Sequence, residues 1–342
     1  MTVFKPRAVT DRTAKWPLAR TLAAVLLSLA AALPLAGAAP DMPGGPDTTA
    51  AGLSAYRNEI EAWHRKRIEG LRGDDGWLTL VGLHLLQEGD NRLGSAGDND
   101  LVLPTKAPAH AGVIRLSSGL PRGLSDAPIG APSGAAVSIT VNDGVAITRA
   151  GEPVRSMPLQ TDADGDPTTL AMGSLRFFVI ERAGHLYLRV KDNESETLRS
   201  FTGIERFPVD PDWRIDARFE PYHPPKTITV PNVLGYSYQD TCPGAIAFTV
   251  QGKACRLEPT RTSNGGLFVV FADATSGRET YGGGRFLYVA PPDALGRVVV
   301  DFNKSYNPPC AFTPYATCPL PHPANTLPVR VEAGEKTFAG GH

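Results

Sequence analysis

No Gly-x-Ser-x-Gly elbow, no His-Glu-x-x-His helix and no phosphate-binding loop ending in Gly-Lys-Ser/Thr occurs in the 342 residues. Their absence removes the usual signatures of serine hydrolases, zinc peptidases and nucleotide-dependent enzymes. The seven histidines (His64, His84, His110, His185, His223, His322 and His342) are scattered without a close pair. A zinc site from Cys310, Cys318 and His322 lacks a fourth ligand at a recognised spacing, so no metal and no cofactor is expected. The formal net charge of −1 gives no attraction to nucleic acid or to an anionic membrane, and no nucleic-acid partner is expected. Beyond the N-terminus, no stretch approaches the ~20 apolar residues of a membrane span. No repeat of fixed period emerges, which disfavours propellers and solenoids. Nothing in the sequence sets an oligomeric state.

What the chain does contain is an ordinary globular composition, 42% hydrophobic and 20% charged, with 35 glycines and 31 prolines that point to many turns. Basic residues up to Arg20 precede an apolar stretch, Leu22 to Leu35, and then the small residues Ala36-Gly37-Ala38. This is the pattern of a signal peptide over residues 1–38. Pro34 and the shortness of the stretch argue against an uncleaved anchor. Neither a lipid-accepting cysteine nor a twin-arginine pair is present. The mature protein is therefore expected to be exported, periplasmic or secreted, with no membrane span. Export directs attention to the four cysteines, because disulfides persist in oxidising compartments. Cys310 and Cys318 flank a proline-rich loop that a bridge would close. A hairpin turning at Gln251-Gly252 would set Phe248 opposite Cys255 and Ile246 opposite Leu257, leaving Cys242 too far along the strand to reach Cys255.

Residues 39–52 form a flexible leader rich in Pro, Gly, Thr and Ala. Leu53, Tyr56, Ile60, Trp63, Arg67 and Leu71 recur at helical spacing and predict a helix from Leu53 to about Leu71. Strand-like runs then follow between turn clusters: 100–103, 113–116, 136–141, 145–149, 175–181, 186–191, 226–230, 246–250, 267–272, 286–290 and 297–302. Two hairpins are expected, one around Asn142-Asp143-Gly144 and one around Ala183-Gly184-His185. Pro121–Ser133 is the expected long surface loop. The fold class is mainly β: an antiparallel β-sandwich or barrel with an N-terminal helix after the signal peptide. Residues 53–337 form this β-rich domain, with a subdivision near 130 left open, and 338–342 form a tail.

The densest polar run extends from Phe271 to Arg285. If extended, it places Glu279, Tyr281 and Arg285 on one face. The plainer alternative gives Asp273 an Asx-turn, pairs Glu279 with Arg285, and lets Gly282-Gly283-Gly284 mark a bend. Next, the strand Val298–Val300 ends in Asp301 and Asn303 and enters a loop whose prolines hold Tyr306, Asn307 and Asn325. Val329-Arg330-Val331 is expected to form a last strand leading to Glu335. Asp273, Glu279 and Asp301 are the candidate catalytic carboxylates. Thr275, Ser276, Tyr281, Arg285, Asn303, Tyr306, Asn307, Asn325 and Glu335 are the candidate ligand-binding groups.

Several of these segments carry a family resemblance. Asp273-Ala-Thr275-Ser-Gly277, Glu279-Thr280-Tyr281 with Arg285-Phe-Leu, Asp301-Phe-Asn303, Tyr306-Asn307-Pro-Pro-Cys310, Cys318-Pro-Leu-Pro321, Asn325 and Ala333-Gly334-Glu335 together resemble domain of unknown function family 1684. Gly76-Trp77-Leu78, Arg189-Val190-Lys191-Asp192, Phe201-Thr-Gly203-Ile and Trp213-Arg-Ile-Asp-Ala217 extend the likeness to about residues 53–337. His322 stands where the pattern has proline and Ala324 where it has an acidic residue, which further weakens a metal site at His322. The resemblance implies a family-wide polar cluster and no reaction. Three functions follow from the residues: binding of a small polar molecule in a pocket of the C-terminal third, hydrolysis by paired carboxylates in that pocket, or a structural role in the cell envelope.

Overall fold

The computed structural model describes residues 49–117 and 136–340. The expected signal peptide, the leader up to residue 48 and the expected loop Pro121–Ser133 lie outside them. The helix α1 runs from Ala50 to Arg72, slightly longer than its apolar periodicity, because Thr49 caps it: the Thr49 hydroxyl accepts the N–H of Gly52 at 3.1 Å. Its buried stripe is Tyr56, Ile60 and Leu71.

The strands that follow form two successive two-layer cores. The first comprises β1 (Leu80–Leu85), β2 (Gly89–Gly94), β3 (Leu101–Val102), β4 (Gly112–Ser117), β5 (Ala136–Val141), β6 (Thr148–Arg149), β7 (Glu152–Pro153), β8 (Ser156–Leu159), β9 (Leu170–Met172), β10 (Leu175–Arg182) and β11 (His185–Asp192). Among the described residues they make a six-stranded sheet, β1-β11-β10-β9-β6-β7, and a five-stranded sheet, β3-β2-β4-β5-β8. Alternate residues of each sheet meet in one apolar layer: Ile114, Val137 and Ile139 from one, Phe177, Val179, Leu188 and Val190 from the other. The β10–β11 hairpin matches expectation. Phe177 pairs with Val190 and Arg182 with His185, so the turn is the two residues Ala183 and Gly184, both at positive φ (48° and 82°).

The hairpin expected at Asn142–Gly144 does not form. Both edges of β5 are taken by β4 and β8, and the N–H of Val141 bonds to the carbonyl of Arg155. The chain after Gly144 instead crosses to the other sheet, where Ile147 is buried and Thr148 pairs with Ala171.

After the short helix α2 (Glu196–Ser200) come β12 (Arg214–Pro231), β13 (Ser237–Val250), β14 (Lys253–Leu257), β15 (Thr260–Arg261), β16 (Leu267–Phe271), β17 (Arg285–Val289) and β18 (Arg297–Asp301). Their sheets are β14-β13-β12-β18 and β15-β16-β17. Phe248 stands opposite Cys255 and Ile246 opposite Leu257, the register read from the sequence. The second core lies between the two sheets, joining Phe219, Ile246, Leu257 and Val300 to Leu267, Val269, Phe271 and Leu287. The other face of β16 and β17 carries Phe268, Val270 and Phe286, which meet the loop bearing Cys310 and Cys318, and the exposed Tyr288. Val329–Val331 is not a strand but an irregular segment packed into the second core. Among the described residues, no helix is long and apolar enough to cross a membrane.

Candidate functional site

The sequence candidates fall into separate groups. The largest centres on Asp273 and Arg285, whose side chains are both 0% exposed and pair at 3.1 Å. Asp273 accepts the N–H and hydroxyl of Thr275 (3.1 and 2.9 Å) and the N–H of Val331 (2.7 Å), while its own N–H donates to the Ser276 hydroxyl at 3.1 Å. Arg285 donates to the carbonyls of Val331 (2.9 Å) and Ala333, and its guanidinium lies 5.2 Å from the Phe271 ring centre. Burial lowers the Arg285 pKa and the Asp273 charge opposes that. Glu335 lies close to this group: it accepts the Asn307 N–H at 2.7 Å and pairs with Arg67 of α1 at 3.3 Å. Burial raises its pKa, against the pull of Arg67. Arg67 also stacks on Tyr306, 4.7 Å from its ring centre.

Asp301 and Asn303 form a second group with the helix. The Tyr56 hydroxyl donates to Asp301 at 2.8 Å and accepts from the Asn303 amide at 2.9 Å, while that amide also donates to the Asp210 carbonyl. Glu279 belongs to neither group. The segment after Phe271 is not extended: the Thr275 carbonyl accepts the N–H groups of Arg278, Glu279 and Thr280 in a tight turn. Glu279 is thereby carried to the surface, where it pairs with Arg330 at 2.7 Å, while Arg285 enters the core. Tyr281 donates its hydroxyl to the Cys310 carbonyl at 3.2 Å. Cys310 and Cys318 come together as free thiols, the Cys310 N–H donating to Cys318 Sγ at 3.2 Å. Asp273, Glu279 and Asp301 thus do not face one another across an open hollow.

A cavity of about 90 Å³ does open in this half of the chain, on the outer face of β15 and β16. The paired residues Ile228–Asp240 and Val230–Tyr238 bring one face of the β12–β13 hairpin to it. Phe268 and Val270 supply a second wall, and the segment Pro319–Asn325 a third. Its principal ionised group is Glu258, whose side chain is 10% exposed. Glu258 accepts the Tyr222 hydroxyl at 2.9 Å and both its oxygens accept Lys226, at 2.9 and 2.8 Å. Burial alone would raise the Glu258 pKa, but the bonds from Lys226 and Tyr222 outweigh it and the pKa is lowered. His322 Nδ1 lies 3.7 Å from Glu258 Oε2 and accepts the Ala324 N–H at 3.3 Å.

Asn325 is the only sequence candidate on this wall. It is committed to the backbone: its oxygen accepts the Glu258 N–H at 2.7 Å, and its amide donates to the carbonyls of Glu258 and Val270, each at 3.0 Å. It therefore sets the position of Glu258 against β16. Lys226, Asp240, Glu258 and Phe268 were not singled out from sequence. The available signals were Glu258 placed before Pro259 at the end of a strand that alternates buried and exposed residues, and the alternation of Ile228 and Val230 with polar residues.

The family model described as "Protein of unknown function (DUF1684)" matches residues 199–336. An uncharacterized protein of Haloarcula marismortui, solved by solution NMR, is 30% identical, over 41% of this chain and 78% of that one, with a TM-score of 0.35. The chain belongs to the DUF1684 family. The DUF1684 match spans β12 to β18, and so takes in the second core, both buried polar groups' carboxylates and the Glu258 cavity. No curated protein matches the chain.

Proposed function

We propose that the protein is exported, to the periplasm or the medium, and there binds a small polar molecule in the cavity beside Glu258. The observation that carries this reading is the cavity's mixed lining: apolar Ile228, Val230, Phe268 and Val270 beside an ionised, anchored carboxylate and the His322 imidazole. Such a lining suits a ligand with one apolar face and one face of hydroxyl or amino donors, as in a saccharide or amino sugar. Lys226 and Tyr222 hold Glu258 in one position before a ligand arrives, which reduces the ordering cost of binding. Binding is favoured over hydrolysis because Asp273 and Asp301 are spent on buried hydrogen bonds and Glu279 on a surface ion pair.

Thermal-shift titration of the purified protein with monosaccharides, polyols and amino sugars tests the proposal. A ligand present at a hundred times its dissociation constant stabilises by about 2.7 kcal/mol. The expected result is a saturable rise in Tm with at least one sugar, lost in Glu258→Gln. Equal stabilisation of wild type and variant would remove this cavity from the account.

A further inference from the structure

Cys310 and Cys318, eight positions apart, meet in one contact. The Cys310 N–H donates to Cys318 Sγ at 3.2 Å, and the two thiols hydrogen-bond to each other. Both are buried, 9% and 4% exposed, in an apolar cluster with Val270, Phe286 and Ala316. Neither of the other cysteines lies in that cluster. Cys242 donates its thiol to the Gly244 carbonyl at 3.0 Å. Cys255 stands opposite Phe248, which is ~20 Å along β13 from Cys242. The sulfur contact therefore selects one pairing of the four. Tyr281, whose hydroxyl donates to the Cys310 carbonyl at 3.2 Å, also bonds to the Cys310 thiol. The bonds from Cys318 and then Tyr281 lower the Cys310 pKa, whereas the bond to Cys310 and then burial raise that of Cys318. Cys310 is thus the readier thiolate.

The two cysteines end segments that are anchored separately. Ahead of Cys310, the Asn307 N–H bonds to Glu335, which Arg67 ties to α1. Beyond Cys318 the chain becomes a wall of the Glu258 cavity, through Pro319, Leu320, His322 and Asn325. The start of that wall is held by bonds to residues 231–233: Asn232 to the Thr317 carbonyl at 2.9 Å, the Val233 N–H to the Cys318 carbonyl at 3.1 Å, and the Leu320 N–H to the Pro231 carbonyl at 2.7 Å. We propose that Cys310 and Cys318 are a modification site, oxidised to an intramolecular disulfide that fastens the Pro319–Asn325 wall to the helix-anchored segment before it. With a small disulfide such as oxidised glutathione as oxidant, the Cys310 thiolate attacks one sulfur and releases one glutathione thiolate. The Cys318 thiolate then attacks the Cys310 sulfur of the mixed disulfide and releases the second. Two protein thiols are oxidised, one glutathione disulfide is reduced to two thiols, and the two protein protons pass to the departing thiolates. The step needs an oxidising compartment and so rests on the export reading; it does not depend on what the cavity binds.

The test compares the mature chain reduced with dithiothreitol and the same chain incubated with oxidised glutathione, each then denatured and alkylated with N-ethylmaleimide. The reduced chain should take four adducts, one for each cysteine, and the oxidised chain two fewer, with a peptide map joining Cys310 to Cys318. Oxidation should raise Tm by about 5–10 °C. It should also slow hydrogen exchange of the backbone in residues 319–325 about tenfold. Cys318→Ser should lose both gains and retain a glutathione adduct on Cys310, the trapped intermediate. Should that variant not fold, the two states of the wild type decide. A full set of adducts after oxidation, or a bridge that includes Cys242 or Cys255, would overturn the pairing. A bridge that leaves exchange in 319–325 unchanged would overturn the clamp. Cell fractionation checks export separately: a chain found only in the cytoplasm that still bridges with glutathione removes the export reading and leaves the pairing standing.

Discussion

Replacing Asp273 by Asn is the most direct test of whether the buried polar group is scaffold. Both side chains of the Asp273–Arg285 pair are 0% exposed. Removing the carboxylate charge leaves the guanidinium facing only the carbonyls of Val331 and Ala333. Breaking one side of a buried ion pair typically costs about 3–5 kcal/mol, because the surviving charge stays buried. The amide of Asn can replace only part of the acceptor set used by the N–H groups of Thr275 and Val331, which adds about 1 kcal/mol. At roughly 2–4 °C per kcal/mol for a domain of this size, Tm should fall by about 10–20 °C. Urea unfolding of Asp273→Asn, Arg285→Met and the double variant supplies the cycle. The double variant should be less destabilised than the sum of the singles by about 1–3 kcal/mol, since no lone charge remains. Additive losses, or single losses below about 1 kcal/mol, would refute the reasoning and return Asp273 to the list of groups held ready for chemistry.

Two further outcomes follow from the same geometry. Because the Glu258 pKa is depressed in the folded chain, its contribution is present above the unfolded carboxyl pKa and is lost as pH falls through the folded value. Glu258→Gln should accordingly flatten the acid limb of a stability-against-pH curve, and a variant that retains the full wild-type slope would contradict the assignment. Gly334 has φ of 76°, and a Cβ there would stand 2.2 Å from Ser305 Oγ and 2.4 Å from the Ser305 carbonyl. Gly334→Ala should therefore lower unfolding stability by on the order of 3 kcal/mol, and a urea-measured loss under about 1 kcal/mol would show that the segment shifts freely.

Local chemistry made much of the fold legible. The helix showed in the spacing of Tyr56, Ile60 and Leu71, and the β10–β11 hairpin in two alternating runs around Ala183-Gly184. Cys255 and Leu257 were placed correctly opposite Phe248 and Ile246 because the Gln251-Gly252 turn fixes that register. What failed depended on distant partners. Asn142-Asp143-Gly144 has good turn chemistry, but the edges of β5 were claimed by β4 and by β8. Lys226–Val230 is one end of a strand beginning at Arg214, hidden by Pro221, Pro224 and Pro225. Its pairing with β13 shifts register between Pro221 and Lys226, which lets the prolines sit where the ladder is already interrupted. The Glu258 cavity was illegible because its walls come from three segments far apart in sequence, each unremarkable alone.

The polar run still has a physical explanation, and it connects the two parts of the site. Residues 326–336 pack into the second core with only isolated bridges, at Ala272–Thr326 and Arg206–Glu335, so the N–H of Val331 and the carbonyls of Val331 and Ala333 turn to side chains instead of a ladder. Asp273 takes the Val331 N–H, Arg285 takes the carbonyls of Val331 and Ala333, and Glu335 ties the end of the segment to Asn307 and to α1 through Arg67. Asn325, just before this strap, performs the same service for the backbone of Glu258 and Val270. A buried charge pair is seldom the most stabilising way to fill a core, but a fully bonded one fixes a single arrangement of an irregular chain. The dense polar signature near the C-terminus is thus consistent with a device that holds the Pro319–Asn325 wall, and with it Glu258, in place. Under the proposed binding at Glu258, substitutions at Asp273 or Arg285 should impair a sugar response only to the extent that they loosen that wall, whereas Glu258→Gln should abolish it with the fold intact.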